Sequence, residues 1–332
     1  MGRIEEIRRF ARDPRNYQLG ALSTLLVVGI SRFGFDVPPL HVAVTLMSAL
    51  AAQGLAGRLA WQASRGRRTT AGSMGGPVPA EAPTSRPPFA AAFEWRSALI
   101  SGLSLCLLLR TRQPVWLAVA ALLAVGSKFA LRVPRASGDG DKHVLNPTNG
   151  AIVLLLLAGA PVWVSPAQWG HHLALAFGVA GFGSLVVHRS ARSDVTLAFL
   201  AAWAAVLFGR AALVGQAWVA PLHQLENGSV ALFAFHMISD PRTTPDSRAG
   251  RIVFACLVAL GAGFVQVGLY RPNGLLWSLA ACSLFVPLID RALPGRGFDW
   301  SAPGTGAIPK EVRHVSPGIP AAVRAAGGVR TA

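Results

Sequence analysis

Runs of mostly apolar residues long enough to cross a bilayer as a helix, about 20 residues each, recur along almost the whole chain, and they decide what it can fold into. They fall at 18–35, 40–60, 93–111, 114–133, 147–165, 171–188, 195–215, 227–240, 251–270 and 274–293. Only 14% of the 332 residues are charged, while 52% are apolar. A soluble domain carries about a quarter charged residues, so an ordinary cytosolic enzyme is excluded.

The formal net charge is nonetheless +16, which would suit a nucleic-acid partner were topology not a simpler explanation. Cytoplasmic loops of membrane proteins are enriched in Lys and Arg. With the N-terminus inside, every one of the 31 basic residues except Arg32, Arg110, Arg112, Arg210 and Arg271 falls on one side of the ten runs. A miscounted span would invert everything after it. The reading is therefore an all-α polytopic membrane protein of about ten transmembrane helices, multi-pass in the cell (inner or plasma) membrane, with both termini cytoplasmic. Its partner is the lipid bilayer, and no nucleic acid is needed. Ten spans divide as five plus five, which predicts an inverted repeat with sites near the midplane.

Residues 1–17 read as a cytoplasmic segment carrying both signs of charge and no cleavage pattern, so no removable signal peptide is expected. The transmembrane domain runs over 18–293, interrupted by a Gly/Pro/Ser-rich cytoplasmic linker at 64–92. Residues 294–332 form a Pro/Gly-rich basic tail of disordered composition. Cys106, Cys256 and Cys282 all lie in apolar stretches without metal-ligand spacing, which argues against a disulfide framework or a zinc site.

Polar residues at membrane depth mark candidate sites. The first cluster is Lys142-His143-Val144-Leu145-Asn146-Pro147-Thr148-Asn149 at the entrance to the fifth run. Pro147 fits a first helical turn, and Asn146 before it serves either as a plain helix cap or as an amide facing a carbonyl-rich ring. The second cluster, His236 to Arg248, contains Asp240, Pro241, Arg242 and Asp246 and reads as a gate or docking loop whose ions also suffice to pair with one another. His236 reads as a hydrogen-bonded interior residue and Lys128 as a side chain snorkelling to the interface. Asp290 is expected to pair with its neighbour Arg291. No nucleotide-binding loop, nucleophile elbow or zinc-protease motif is present, no catalytic residue can be assigned, and no general acid and base are paired.

The stretches at 101–133, 143–164, 231–264 and 283–293 resemble successive blocks of the RnfD/NqrB-like proteins, which are the D component of Rnf-type electron-transport complexes and the B component of the sodium-translocating NADH:quinone reductase. Within that family the likeness is greatest to the compact UnbU-type membrane proteins of enediyne biosynthesis clusters. The resemblance implies a ten-helix inverted repeat and flavin-linked electron transport with a redox partner. Its Asn-x-x-Asn-Pro block, part of a noncovalent riboflavin site, corresponds here to His143, Asn146 and Pro147, with His143 replacing the first Asn. Its Thr-Gly helix start reads Ser101-Gly102. The family's covalent FMN sits on a Thr in an outer loop that here reads SPAQWGHH and has no Thr. Thr196 in Ser-Asp-Val-Thr lies one helix later without the Gly-Ala and is rejected as an attachment site. The implied cofactor is thus riboflavin or FMN, or a quinone, held noncovalently. A transporter or channel for a small molecule or ion on the same fold, and a membrane anchor for an extracytoplasmic partner protein, are the alternatives.

Overall fold

The computed structural model describes residues 13–73, 93–135, 140–165, 183–184, 187–188 and 191–298, with side chains through 62 in the first of these segments. Helix α1 (Pro14–Arg32) starts on Asp13, whose side chain accepts from the Arg15 N–H, with Pro14 at the first helical position. This is the arrangement that satisfies or removes the free donors of a first turn. Helix α2 (Pro39–Ser73) continues past residue 64, carrying helix into the start of the expected linker. Helix α3 (Trp95–Leu108) passes into strand β1 (Leu109–Thr111), and α4 (Pro114–Ala130) into β2 (Arg132–Pro134). Strand β3 (Asp141–His143) leads to α5 (Pro147–Leu157) and β4 (Val162–Val164). The second part comprises α6 (Ser193–Val214), α7 (Val219–Leu225), α8 (Gly228–Leu232) running into a π-helical turn at Phe233–Met237, α9 (Arg248–Gly263) running into another at Phe264–Gly268, α10 (Gly274–Ser283) and α11 (Val286–Ala292).

The protein is mostly helical, in keeping with a polytopic helical membrane protein. Among the described residues three helices are long and apolar enough to cross a membrane, Pro39–Gln62, Ser193–Val214 and Arg248–Gly268, and the pair α10–α11, bent by 54°, makes a fourth if taken as one broken span. Other expected spans are shorter apolar helices: Trp95–Leu108, Pro114–Ala130, Pro147–Leu157 and Gly228–Met237. The expected span 171–188 lies almost wholly outside the described residues.

The all-helical expectation is corrected by two small antiparallel ribbons. Strand β1 pairs with β4 in the register Leu109 with Val164 and Thr111 with Val162, and β2 pairs with β3, Arg132 opposite His143. Helices that stop short leave backbone groups that must be satisfied inside the protein when water is absent. Here the tails of α3 and α5 satisfy each other, and the Thr111 hydroxyl donates to the Pro161 carbonyl at 2.9 Å.

Two packing groups result. In one, α2 lies against α3 and α4, α1 against α3, and α4 against α5; in the other, α9 lies between α6 and α10. Contact between α5 and α10 joins them, and the Asn149 amide donates across this seam to the Leu276 carbonyl at 3.2 Å. The contact faces are lined by small residues, Ala120, Ala121 and Ala124 on α4 and Ala255, Ala259 and Ala262 on α9, all fully buried. Such residues let helices approach closely, which replaces the hydrophobic drive that lipid cannot supply. At Gly274 a Cβ would stand 2.6 Å from the Ala262 carbonyl oxygen, so α9 and α10 touch through backbone.

Candidate functional site

A cavity of about 260 Å³ lies where α1, α3, α4, the β3–α5 turn and the end of α8 converge. Its position follows from local chemistry at three chain breaks. The first is the start of α5. Asn146 holds an extended ψ of 125° and its side-chain oxygen accepts from the Asn149 N–H at 3.1 Å, with Pro147 next in the first turn. The other half of the amide donates to the Met237 carbonyl at 3.3 Å. Asn146 therefore both caps α5 and ties it to the π-helical turn, so the amide shapes the cavity wall with its hydrogen bonds already engaged.

The second break is that π-helical turn. Single π turns widen a helix and are frequent at functional sites. This one carries His236, which is 7% exposed, faces the cavity and leaves its Nδ1 without a hydrogen-bond partner. Its interior position matches expectation. The chain then closes a turn in which the Asp240 carboxylate accepts from the Arg242 N–H at 3.0 Å, while the Asp240 carbonyl accepts from the hydroxyls of Thr243 and Thr244.

The third is β3, where the His143 backbone N–H donates to the Arg242 carbonyl at 3.1 Å and fixes the imidazole at the cavity wall. The His143 Nδ1 is also unpartnered. Burial, reinforced by the positive charges of Arg242, Arg132, Lys128 and Arg135, pushes its pKa down to about 3, so the ring is neutral at physiological pH.

Ser101, His143, Asn146, Pro147, Asp240, Pro241 and Arg242 thus all border one cavity. Two other candidates lie elsewhere. Gly102 packs toward α2, where a Cβ would meet Leu46 at 2.9 Å. Asp246 is buried in a separate ion cluster, 3.0 Å from Arg135 and 3.3 Å from Lys142. The expected pairing inside the 240–251 loop is corrected accordingly: Asp246 reaches β2 and β3, and Arg251 pairs with Asp194. Asp290 pairs with Lys142 at 2.5 Å in place of Arg291. Lys128 does not snorkel outward; it is 6% exposed and donates to the Ser97 carbonyl at 2.7 Å and hydroxyl at 2.9 Å.

Sequence reasoning passed over Gln53, which borders the cavity with its side-chain oxygen buried and unpartnered. A lone amide in the apolar run 40–60 was the available signal. Ile100, Phe129 and Met237 supply apolar wall. Apolar faces with a few unsatisfied polar atoms are the mark of a small-molecule site, and the volume lies near the lower end of the usual range of roughly 300–1,000 Å³. A flat aromatic ring system fits this donor set: Gln53 Oε1 accepts, and each neutral imidazole offers Nδ1. Thr196 is buried on α6, and its hydroxyl donates to the Ala234 carbonyl at 2.9 Å. Among the described residues no three His, Cys, Asp or Glu side chains converge as a metal site.

A sequence model described as the NQR2, RnfD, RnfE family matches residues 162–299. Curated relatives, each named as the D component of an ion-translocating oxidoreductase complex, are also similar. The protein of Tolumonas auensis is 40% identical over 73 residues, covering 21% of this chain and 20% of the relative. That of Cronobacter sakazakii is 28% identical over 123 residues, covering 37% and 34%. That of Escherichia coli is 29% identical over 140 residues, covering 41% and 36%. The matched stretches thus span between about a fifth and just over a third of the relatives' length.

Proposed function

We propose that this chain is a membrane subunit of the RnfD/NqrB type that takes part in electron transport within a multisubunit ion-translocating oxidoreductase, holding riboflavin, FMN or a quinone noncovalently in the cavity beside Asn146. The likeness to the RnfD-type proteins over the second half of the chain supports the family. The observation that carries the site is the convergence of Ser101 from α3 with His143, Asn146 and Pro147 on one cavity, three of whose buried polar atoms, Gln53 Oε1, His143 Nδ1 and His236 Nδ1, lack partners. Ten spans in a five-plus-five inverted repeat, cytoplasmic termini, a plasma-membrane location, kinship with the UnbU-type proteins and redox partner proteins belong to the same proposal.

A flavin would supply one- and two-electron transfer at the ring. The chain's own part is to exclude water with Ile100, Phe129 and Met237, to hold the wall in shape through the Asn146 bridge between α5 and the π-helical turn, and to present the neutral imidazoles of His143 and His236. Covalent FMN is not part of the proposal, because the outer loop SPAQWGHH carries no Thr. A transporter on the same fold is the second reading, favoured by the placement of Lys128 and His236, a cationic and a titratable side chain, inside the bundle.

The test is a visible absorption and fluorescence spectrum of the detergent-purified protein, followed by acid precipitation. Flavin released into the supernatant, and lost in Asn146→Leu, is the expected result. Flavin retained on the pellet would overturn the noncovalent reading. A protein that stays colourless after incubation with riboflavin and FMN would move the function to transport, to be followed as uptake into vesicles.

A further inference from the structure

The charges around the cavity do not balance. Four cations border it, Arg15, Lys128, Arg132 and Arg242, against two carboxylates, Glu94 and Asp240. Arg15 stands 2.5 Å from Glu94 and also contacts Asp13. The Arg132 Nε–H donates to the Lys128 carbonyl, and its exposed guanidinium lies over the Phe129 ring. Among the described residues neither Lys128, Arg132 nor Arg242 has a carboxylate oxygen within 4 Å. Lys128 is buried, its direct hydrogen bonds go to two neutral oxygens of Ser97, and the carboxylates of Asp240 and Glu94 act on it only from beyond contact distance. A buried cation with only neutral partners is strongly disfavoured unless a counter-charge arrives.

Two further observations point inward to the same place. The His143 imidazole, in the cavity wall beside Arg242, Arg132 and Lys128, leaves its buried Nδ1 unpartnered. His236, more than nine-tenths buried, turns an unpartnered Nδ1 toward it. The exposed side chains of Glu94 and Arg132 at its rim mark where it opens to the surface. The cavity combines an apolar interior with a cationic surplus of Lys128, Arg132 and Arg242 over Asp240.

We infer that the cavity recognises a phosphomonoester, so that of the flavins it takes FMN in preference to riboflavin, with Lys128 and Arg242 supplying the charge that meets the phosphate. The inference rests on the flavin reading above and adds the charged end of the ligand. A phosphomonoester carries about −1.5 to −2 near neutral pH, and its hydrogen bonds to Lys or Arg are charge-assisted and about twice as strong as neutral ones.

The experiment is a pair of fluorescence titrations of the detergent-purified full chain, with FMN and with riboflavin. FMN should bind tighter by about tenfold, the worth of one charge-assisted hydrogen bond, and the gap should narrow as salt is raised. Arg242→Gln, at a half-buried side chain and so the safer variant than one at buried Lys128, should bring FMN toward the affinity of riboflavin; Lys128→Met should do the same. Inorganic phosphate at millimolar concentration should compete with FMN and leave riboflavin alone. Riboflavin bound as tightly as FMN would overturn phosphate recognition and leave the flavin reading standing. No binding of either would overturn both. FMN displaced by nanodiscs containing phosphatidylglycerol but not by phosphatidylcholine would assign the cations to an anionic lipid and overturn the inference.

Discussion

The Lys142 ammonium on β3 lies 2.5 Å from the Asp290 carboxylate on α11, 148 residues further along the chain. Both groups are buried, and the other Asp290 oxygen accepts from the Asp246 N–H at 2.8 Å. With Arg135 on Asp246, the cluster joins the β2–β3 ribbon, the turn before α9 and the last described helix. Among the described residues these four charges pair with one another.

Removing one partner should therefore harm stability more than removing two. Asp290→Leu leaves Lys142 and Arg135 sharing the single carboxylate of Asp246 and is expected to cost about 3–5 kcal/mol. The double variant Lys142→Met, Asp290→Leu should recover part of that loss. Thermal unfolding in detergent, followed by circular dichroism, decides the order; a double variant less stable than the single would contradict it.

His143 predicts a sign for the effect of acid. Its pKa is about 3 in the folded protein against roughly 6.5 in an unfolded chain. Between these values the unfolded chain takes up a proton that the folded one refuses. The contribution to stability is therefore intact above about pH 6.5 and is lost progressively as pH falls toward 3. His143→Gln should flatten the fall in melting temperature between about pH 7 and about pH 4.5, and equal slopes for the two proteins would contradict the burial of a neutral ring.

Contact through backbone at Gly274 predicts an asymmetry between glycines. Gly274→Ala places a Cβ against the Ala262 carbonyl oxygen, which cannot move without shifting α9, and should cost about 1–3 kcal/mol. Gly209→Ala on α6 meets nothing within 4 Å and should be neutral or stabilising by about 0.5–1 kcal/mol, the helix preference of Ala over Gly. Melting temperatures of the two variants separate these outcomes.

Asn146 separates capping from bridging. Asn146→Asp keeps an oxygen for the Asn149 N–H and loses the donor to Met237; Asn146→Ala loses both, including a cap worth about 1 kcal/mol. The Asp variant should retain more thermal stability than the Ala variant, and both should weaken flavin retention if the bridge shapes the cavity. Retention equal to the parent protein in the Asp variant would confine the role of Asn146 to its cap.

The parts of this architecture written in local sequence were legible: the apolar runs, the Asn-Pro helix start and the turn around Pro241. What escaped depends on partners distant in sequence. Asp290 sits beside Arg291, and nothing local reveals that Lys142 is the nearer cation in space. Apolar periodicity does not tell whether Lys128 near the end of α4 reaches out to the interface or in to Ser97. Ser101 and Gly102 form one motif in sequence, yet successive residues on a helix face different directions, so one borders the cavity and the other meets Leu46. Interrupted helices were also invisible, because Leu109–Thr111 and Val162–Val164 fall inside the expected runs 93–111 and 147–165.

The ladder between those two segments limits how the bundle can move. Arg110 faces Trp163 in a ribbon of three residues a side, and a slip by one residue would turn every side chain to the opposite face. Helices α3 and α5 are thus riveted at the ends away from Asn146, and any displacement of one drags the other. The wall formed by Ser101 and Asn146 behaves as a fixed jaw, and the hydrogen bond from Asn146 to the Met237 carbonyl holds the π-helical turn carrying His236 against it.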